Sequence, residues 1–281
     1  MGKDINNDNS FMVRLRSSVI LMIVAIGSML LGGWVLYGVL VLITMIGLME
    51  LYRVVGVNKS AAGFAGYLAA AVWYLYVALS QYGKAGILNF QLIVAGFMVI
   101  ILAVYVLTFP KFKSEQITMT VFGFFYVAVT LSYIYSVRMQ DCGAYTVWLI
   151  FIGSWGSDTM AYVVGRKLGK TKIAPKLSPK KSLEGLIGGI LGAALIGFVY
   201  ALIFRTQLEA RFANPCLVFA IVGGVGSVIS QIGDMAASAI KRDKGIKDYG
   251  TLIPGHGGIL DRFDSVIFIA PIVYYLLTFM N

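Results

Sequence analysis

The sequence predicts an all-α integral membrane protein that crosses the bilayer about nine times. The composition, the mean hydropathy and the recurrence of apolar stretches lead to this fold class. Of the 281 residues 59% are hydrophobic, only 13% are charged, and the mean hydropathy is +0.83. Soluble domains carry roughly one-quarter charged residues, so this composition excludes an ordinary soluble fold. Apolar stretches of about 20 residues, the length of a helix that spans the hydrocarbon core, recur along the whole chain.

The predicted spans follow one another with short polar connections. They cover residues 18–32, 34–51, 62–80, 87–109, 117–137, 145–165, 183–204, 214–238 and 263–280. The first span is the shortest. Gly32 and Gly33 permit a tight turn before Trp34, so the first two spans form an antiparallel hairpin unless the first only dips into the bilayer. Because a second span begins at once, we expect a retained first helix instead of a cleaved signal peptide.

The positive charges predict the orientation of the spans. If the N-terminus lies inside, 19 of the 23 Lys and Arg residues fall on the inner side, and only Lys84, Arg138, Arg205 and Arg211 fall on the outer side. The positive-inside rule then places the N-terminus in the cytoplasm and the C-terminus outside. The same rule and anionic lipids explain the net charge of +10, so we expect no nucleic-acid partner.

Acidic residues at membrane depth distinguish the two halves of the chain. Residues 1–140 contain only Glu50 within their spans, and we assign it no role. In the second half, the acids at or near membrane depth are Asp158, Glu184, Asp234 and Asp264. Ionisable groups in the bilayer are costly and mark functional sites. We therefore predict an N-terminal scaffold of about five helices (1–140) and a catalytic region of about four (141–281), with cytoplasmic loops at 166–182 and 239–262.

The segment from Asp234 to Asp264 concentrates charge between the last two spans. Asp234, Ser238 and Lys241 share one helical face, and Asp261 and Asp264 share another. Magnesium takes oxygen ligands from one or two carboxylates together with substrate phosphates. The three aspartates are therefore candidate metal ligands. The alternative is an ion-pair network with the neighbouring Lys and Arg side chains.

Two loops have the composition of anion-binding sites. Gly255, Gly257 and Gly258 can present backbone N–H groups to a phosphate, although a tight surface turn needs the same residues. His256 is a candidate phosphate donor or loop brace. The loop 166–182 carries seven cations and no acid, which suits a triphosphate or an anionic headgroup, although the insertion signal explains part of this charge.

Three further features lie in the second half. GRKLGKT at 165–171 mimics a nucleotide-binding loop, but three residues separate its glycines where four are required. Asp158 and Glu184 are expected to line a polar cavity. The alternative for Asp158 is a structural hydrogen bond, and the alternative for Glu184 is contact with water at a cytoplasmic helix end. Cys142 and Cys216 both map to the outer side, where free thiols are expected.

Taken together, these motifs resemble a known family. SAIKRDKGIKDYGTLIPGHGGILDRFD at 238–264 is similar to the signature of the CDP-diacylglycerol synthase family, also called phosphatidate cytidylyltransferases. SPKKSLEG at 178–185 and the Gly-Ser-Asp that ends at Asp158 also resemble it. The resemblance implies transfer of CMP from CTP to phosphatidate for phospholipid synthesis, giving CDP-diacylglycerol and pyrophosphate. It further implies magnesium, potassium as a second ion, a homodimer, and a site on the cytoplasmic face of the cell membrane.

The residues and the resemblance together give a set of predicted roles. The catalytic residues are Lys241, Asp261 and Ser238. The metal ligands are Asp234, Asp261 and Asp264. The phosphate- and substrate-binding residues are Lys176, Lys180, Lys181, Ser182, Arg242, Lys247, Asp248, Gly255, His256, Gly257, Gly258 and Arg262. The cavity residues are Asp158 and Glu184.

Two other functions compete with this interpretation. An ion-coupled transporter also carries buried acids, but here the charge gathers at the ends of the spans instead of at mid-bilayer. Another membrane phosphotransferase, such as a CDP-alcohol or polyprenyl-phosphate enzyme, needs acidic motifs with other spacings, which the sequence does not contain.

Overall fold

The computed structural model describes residues 2–175, 177–253, 255 and 257–280, and for residues 2–15 and 18 it describes the backbone alone. Nine long helices account for most of these residues. They are α1 (Gly2–Leu31), α2 (Gly33–Val54), α3 (Ala61–Gln81), α4 (Phe90–Thr108), α5 (Ser114–Arg138), α6 (Gly143–Leu168), α7 (Leu183–Ile203), α8 (Pro215–Asp243) and α9 (Leu260–Phe279). The all-α polytopic fold class is thereby confirmed.

Eight of these helices, α2 to α9, are long and apolar enough to cross a membrane. The first helix differs from them, because its apolar part within the described residues is Val19–Leu31, which is shorter than a membrane span. The predicted count of nine therefore reduces to eight helices of spanning length, plus a first helix whose apolar part is too short.

Local side chains begin several of the helices. Ser60, Asn89 and Asn214 each accept a hydrogen bond from a backbone N–H in the first turn of α3, α4 and α8, at 3.2, 2.9 and 3.3 Å. These bonds satisfy N–H groups that have no partner within the helix, which is why Ser and Asn are favoured there.

Two helices contain a π-helical turn. In α5 it covers Phe124–Val129, and in α6 it covers Ile152–Gly156. A π turn inserts one extra residue and so rotates everything that follows about the helix axis. In α6 the insertion comes just before Asp158, and it sets the direction in which this carboxylate points.

The chain forms two compact units. The first contains the residues up to Ser132 together with Ile246–Arg262, and the second contains Tyr133–Gly245 together with the residues from Phe263 onwards. These are packing units. The predicted division at residue 140 into scaffold and catalytic region concerns function and stays a prediction.

Each unit has its own core. In the first, the buried Tyr52 donates a hydrogen bond from its hydroxyl to the Thr120 carbonyl at 2.9 Å, and the glycine at 123 leaves room for its ring. In the second, glycines bring helices α6, α7 and α8 close together. A Cβ at Gly223 would lie 2.7 Å from the Ala193 carbonyl oxygen, so only glycine permits this approach.

Candidate active site

A cavity of about 540 Å³ opens in the second unit between α6, α7, α8 and the basic loop. Its walls combine apolar side chains, such as Leu186 and Met235, with polar and charged ones. The cations on its lining are Arg166, Lys172, Lys180 and Lys181, and the other polar side chains are Asp158, Tyr162, Ser182 and Gln231. Two predicted phosphate-binding lysines and one predicted cavity acid thus line one site.

The basic loop has a defined shape because it folds back on itself before α7. The Ile173 N–H donates to the Lys181 carbonyl at 3.3 Å, and the Leu183 N–H donates to the Thr171 carbonyl at 2.9 Å. Lys172 and Ser182 form the bridge between the two arms. This pairing places the lysines of both arms at the cavity.

Two predicted site residues support this loop. Ser182 is the N-cap of α7, since its hydroxyl accepts a hydrogen bond from the Gly185 N–H at 3.2 Å. Glu184 accepts hydrogen bonds from the N–H groups of Lys170 and Thr171 at 3.0 and 3.2 Å. Ser182 also lines the cavity, whereas Glu184 is not one of its lining residues. Glu184 therefore braces the loop, and its predicted place in the cavity stays a prediction.

Two carboxylates share one ammonium group beside the cavity. The Lys181 Nζ lies 2.5 Å from the Asp234 Oδ2, with the two side chains 24% and 32% exposed. Asp158 interacts electrostatically with both, being repelled by Asp234 and attracted by Lys181. Since Asp158 comes from α6 and Asp234 from α8, these helices bring an acidic pair close to a single lysine.

This acidic pair fits a magnesium ion that also binds a substrate. Magnesium commonly uses one or two carboxylates and completes its shell with water and phosphate oxygens. No group of three or more His, Cys, Asp or Glu side chains in the described part of the chain converges as a metal cage. The donor set is therefore of the kind in which Asp158, Asp234 and a substrate phosphate would hold one ion together.

A buried polar network lies next to this pair. The hydroxyls of Ser157 and Ser227 are 2.6 Å apart, and the Gln231 amide nitrogen donates to the Leu186 carbonyl at 3.3 Å and to the Ser227 hydroxyl at 3.3 Å. The sequence predictions missed these residues. A signal was present, because Ser227, Gln231 and Asp234 lie at i, i+4 and i+7 on one face of α8.

Two charged residues predicted for the site, one near the end of α8 and one near the start of α9, form a second ion pair in this unit. The Lys241 Nζ lies 3.8 Å from the Asp264 Oδ2, and both side chains are only 13% exposed. Ser238, one turn before Lys241, is half-buried, and Arg242 is exposed. The ion-pair alternative therefore describes part of what is present, and the metal role of Asp264 stays a prediction.

The glycine-rich turn, of which residues 248–253, 255 and 257–261 are described, belongs to the first unit. Gly255 and Gly257 have φ angles of +78° and +84°, which favour glycine, and the Ile253 N–H donates to the Gly257 carbonyl at 2.9 Å. Asp261 is 8% exposed, and its Oδ2 accepts hydrogen bonds from the N–H groups of Tyr249 and Gly258 at 2.8 and 3.0 Å. One oxygen of this predicted metal ligand thus organises the turn.

Five other predicted phosphate- and substrate-binding residues lie in the two charged loops. Lys247, Asp248 and Arg262 have exposed side chains. Lys176 and His256 lie outside the described residues, so their predicted phosphate contacts stay predictions.

Glu50 is the acid to which the sequence assigned no role. It is 3% exposed, and its two carboxylate oxygens accept hydrogen bonds from the N–H groups of Ile259 and Leu260 at 3.0 and 2.9 Å. The signal in the sequence was its isolation, as the only acid within the spans of the first half.

Comparisons with known proteins identify the family of this chain. The model of the cytidylyltransferase family matches residues 12–280. A phosphatidate cytidylyltransferase of Bacillus subtilis (strain 168) is 32% identical over 249 residues, covering 86% of this chain and 89% of its own. One from Staphylococcus saprophyticus is 31% identical over 268 residues, covering 94% and 98%. One from Rickettsia typhi is 33% identical over 161 residues, covering 57% and 71%. The chain therefore belongs to the cytidylyltransferase family, and the predicted enzyme class, a nucleotidyltransferase of the phosphatidate cytidylyltransferase family, is confirmed.

Proposed function

We propose that this protein transfers the CMP group of CTP to phosphatidate, producing CDP-diacylglycerol and pyrophosphate. The observation that carries the proposal is the cavity of the second unit, which four cations and Asp158 line between membrane-spanning helices, with Asp234 paired to Lys181 beside it. Such a site suits one substrate with several phosphates and another that keeps its acyl chains in the bilayer. The names of the relatives support the same two substrates.

The chemistry needs little beyond alignment and neutralisation of charge. An oxygen of the phosphatidate phosphate attacks the α-phosphorus of CTP and forms the new P–O bond. The bond from the α-phosphorus to the oxygen that bridges to the β-phosphate breaks, and its electron pair leaves with pyrophosphate. Because the nucleophile is already an anion, holding the two phosphates in line and stabilising the leaving charge matter more than a general base.

The cavity residues can supply these functions. Lys172 and Lys180, with Arg166 on α6, face the cavity as binding groups for the triphosphate. Lys181 also lines it and is held in place by Asp234. Asp158 and Asp234 are the groups we assign to magnesium, which when bound would neutralise phosphate charge. The roles predicted for Ser238, Lys241, Asp261 and Asp264, and a second, potassium ion, are part of this proposal.

We place the site at the cytoplasmic face of the cell membrane. The distribution of Lys and Arg between the loops supports this orientation, and CTP would then enter from the cytoplasm. The homodimer is proposed from the family resemblance, and the molecular mass of the detergent-solubilised protein, corrected for bound detergent, tests it.

The experiment uses purified protein with phosphatidate, magnesium and CTP labelled with ³²P at either the α or the γ position. The α-label should move into the lipid phase, and the γ-label should stay in water as pyrophosphate. Diacylglycerol in place of phosphatidate is the matched control and should give no labelled lipid. Transfer of the γ-label to lipid, or no lipid product from folded protein, would contradict the proposal.

A further inference from the structure

Glu50 caps a helix that lies far from it in the sequence. Its carboxylate on α2 accepts hydrogen bonds from the N–H groups of Ile259 and Leu260, where α9 begins, 209 and 210 residues further along the chain. N–H groups in the first turn of a helix have no partner within the helix, and a carboxylate there is favoured by the helix dipole. Glu50 thus connects α2 directly to the end of the glycine-rich turn.

The turn is built closely around this carboxylate. A Cβ atom added at either Gly250 or Gly258 would collide with the Glu50 carboxylate. These two glycines are therefore required by close packing, independently of any phosphate that the turn binds. Residues 250 and 258 lie near the two ends of the turn, so a single side chain sets the position of both.

A second carboxylate holds the same turn. Asp261 accepts hydrogen bonds from the N–H groups of Tyr249 and Gly258. Together, Glu50 and Asp261 bind four main-chain N–H groups of the glycine-rich turn, and the two acids repel each other electrostatically. The turn is held by a pair of buried acids, 3% and 8% exposed, which carry a desolvation cost that uncharged caps avoid.

The other capped helices show a less costly solution. Helices α3, α4, α7 and α8 are capped by the Ser or Asn residue that directly precedes them. Helix α9 instead follows the apolar Ile259 and uses a distant acid. Capping alone does not require a buried acid from a distant helix. An acid on α2 also fixes where the turn lies relative to α2, which a cap from the preceding residue cannot do.

We propose that Glu50 is a positioning residue for the transfer reaction, acting through the glycine-rich turn and the Asp261 side chain. This inference rests on the proposed function for its kinetic consequence. Its structural content, that the Glu50 carboxylate holds the main chain at Gly250 and at residues 258–260 in place, does not depend on that function.

The first experiment compares Glu50→Gln with Tyr52→Phe. Tyr52 is two residues further along α2 and is also buried. Its hydroxyl donates one long-range hydrogen bond, whereas the Glu50 carboxylate accepts two, so its variant is a control for loss of a buried long-range contact in the same helix. In Glu50→Gln, amide hydrogen exchange at Ile259 and Leu260 should become at least about tenfold faster, since losing about 1.4 kcal/mol of protection corresponds to a factor of ten. In Tyr52→Phe, exchange there should change less than about twofold.

The kinetic result separates positioning from stability. We expect kcat of Glu50→Gln to fall at least about tenfold, while KM for CTP changes less than about threefold, because the cations of the cavity are untouched. Tyr52→Phe should keep kcat within about twofold of the native value, even if its melting temperature falls as much as that of Glu50→Gln. Equal kcat loss at equal loss of melting temperature in the two variants would reduce Glu50 to a structural residue and overturn the inference.

A double substitution tests the contact itself and covers the case in which Glu50→Gln does not fold. Gly258→Ala should lower the melting temperature strongly in the native background, and less in a Glu50→Asp background, where the shorter side chain leaves room for the new methyl group. Additive effects would overturn the inference. If the native protein makes no CDP-diacylglycerol, the proposed function fails, but the exchange and melting experiments still decide whether Glu50 holds the turn.

Discussion

Lys181 is the cavity residue whose removal has the most clearly defined consequences. Its ammonium lies 2.5 Å from the Asp234 carboxylate and also attracts Asp158. Lys181→Met keeps much of the apolar stem but removes the charge. The two carboxylates are then left without the cation they share, and an incoming triphosphate loses one of its binding groups.

The expected loss of activity follows from the energy of the lost phosphate contact. A hydrogen bond between a phosphate and a charged donor contributes about 1.5–3 kcal/mol, so kcat/KM for CTP should fall about 10- to 150-fold. The ion pair itself is partly exposed, with 24% and 32% of the side chains accessible, and such pairs contribute only about 0–1 kcal/mol to stability. Activity should therefore fall far more than the melting temperature.

The assay is initial-rate formation of the cytidine lipid at varied CTP, with thermal unfolding measured on the same preparations. Lys170→Met is the matched control. Lys170 lies in the same loop with an exposed side chain, it is not one of the cavity-lining residues, and its contact with Glu184 is made by the backbone, which the substitution keeps. Its kcat/KM should change less than about twofold. Equal effects of the two substitutions would refute a specific role of Lys181 and leave only a general effect of loop charge.

Four further outcomes are expected. Asp261→Asn should abolish turnover without loss of folded protein, because an amide oxygen can still accept a hydrogen bond from the turn; retained activity would remove Asp261 from the metal site. Ser182→Ala should lower stability by about 1 kcal/mol through loss of the bond to Gly185, seen as a lower melting temperature; an unchanged one would contradict the capping role. Chelation of magnesium should stop product formation and added magnesium restore it, and magnesium-independent turnover would count against the metal. Cys142 and Cys216, both free and half-exposed, should react with impermeant thiol reagents from outside, and labelling only from the cytoplasmic side would reverse the orientation.

The spans were predictable because bilayer thickness imposes one length on every crossing segment. The sequence was less informative about local features of the helices, such as their π turns and their exact ends. The π turns at Phe124–Val129 and Ile152–Gly156 leave no mark on hydropathy, since one inserted residue changes the direction of side chains but not their polarity. The end of α8 at Asp243, beyond the predicted 238, follows from polar residues that continue a helix past the apolar stretch.

The candidate site was predictable where charge stood out against an apolar background. Lys180, Lys181 and Asp158 were named for this reason and line one cavity. The role of Glu50 was not predictable, because its partners are main-chain N–H groups more than 200 residues away and sequence spacing carries no information about them. Glu184 was predicted as a cavity residue from its charge, and the structure adds that this helix-start acid binds the preceding loop.

The position of bond formation is the most direct test of the proposed chemistry. Phosphatidate labelled with ¹⁸O in the non-ester oxygens of its phosphate should give CDP-diacylglycerol that retains every labelled oxygen, together with one unlabelled pyrophosphate for each lipid product. This result is expected if a phosphatidate oxygen attacks the α-phosphorus of CTP. Loss of one ¹⁸O from the lipid, or release of inorganic phosphate in place of pyrophosphate, would contradict it.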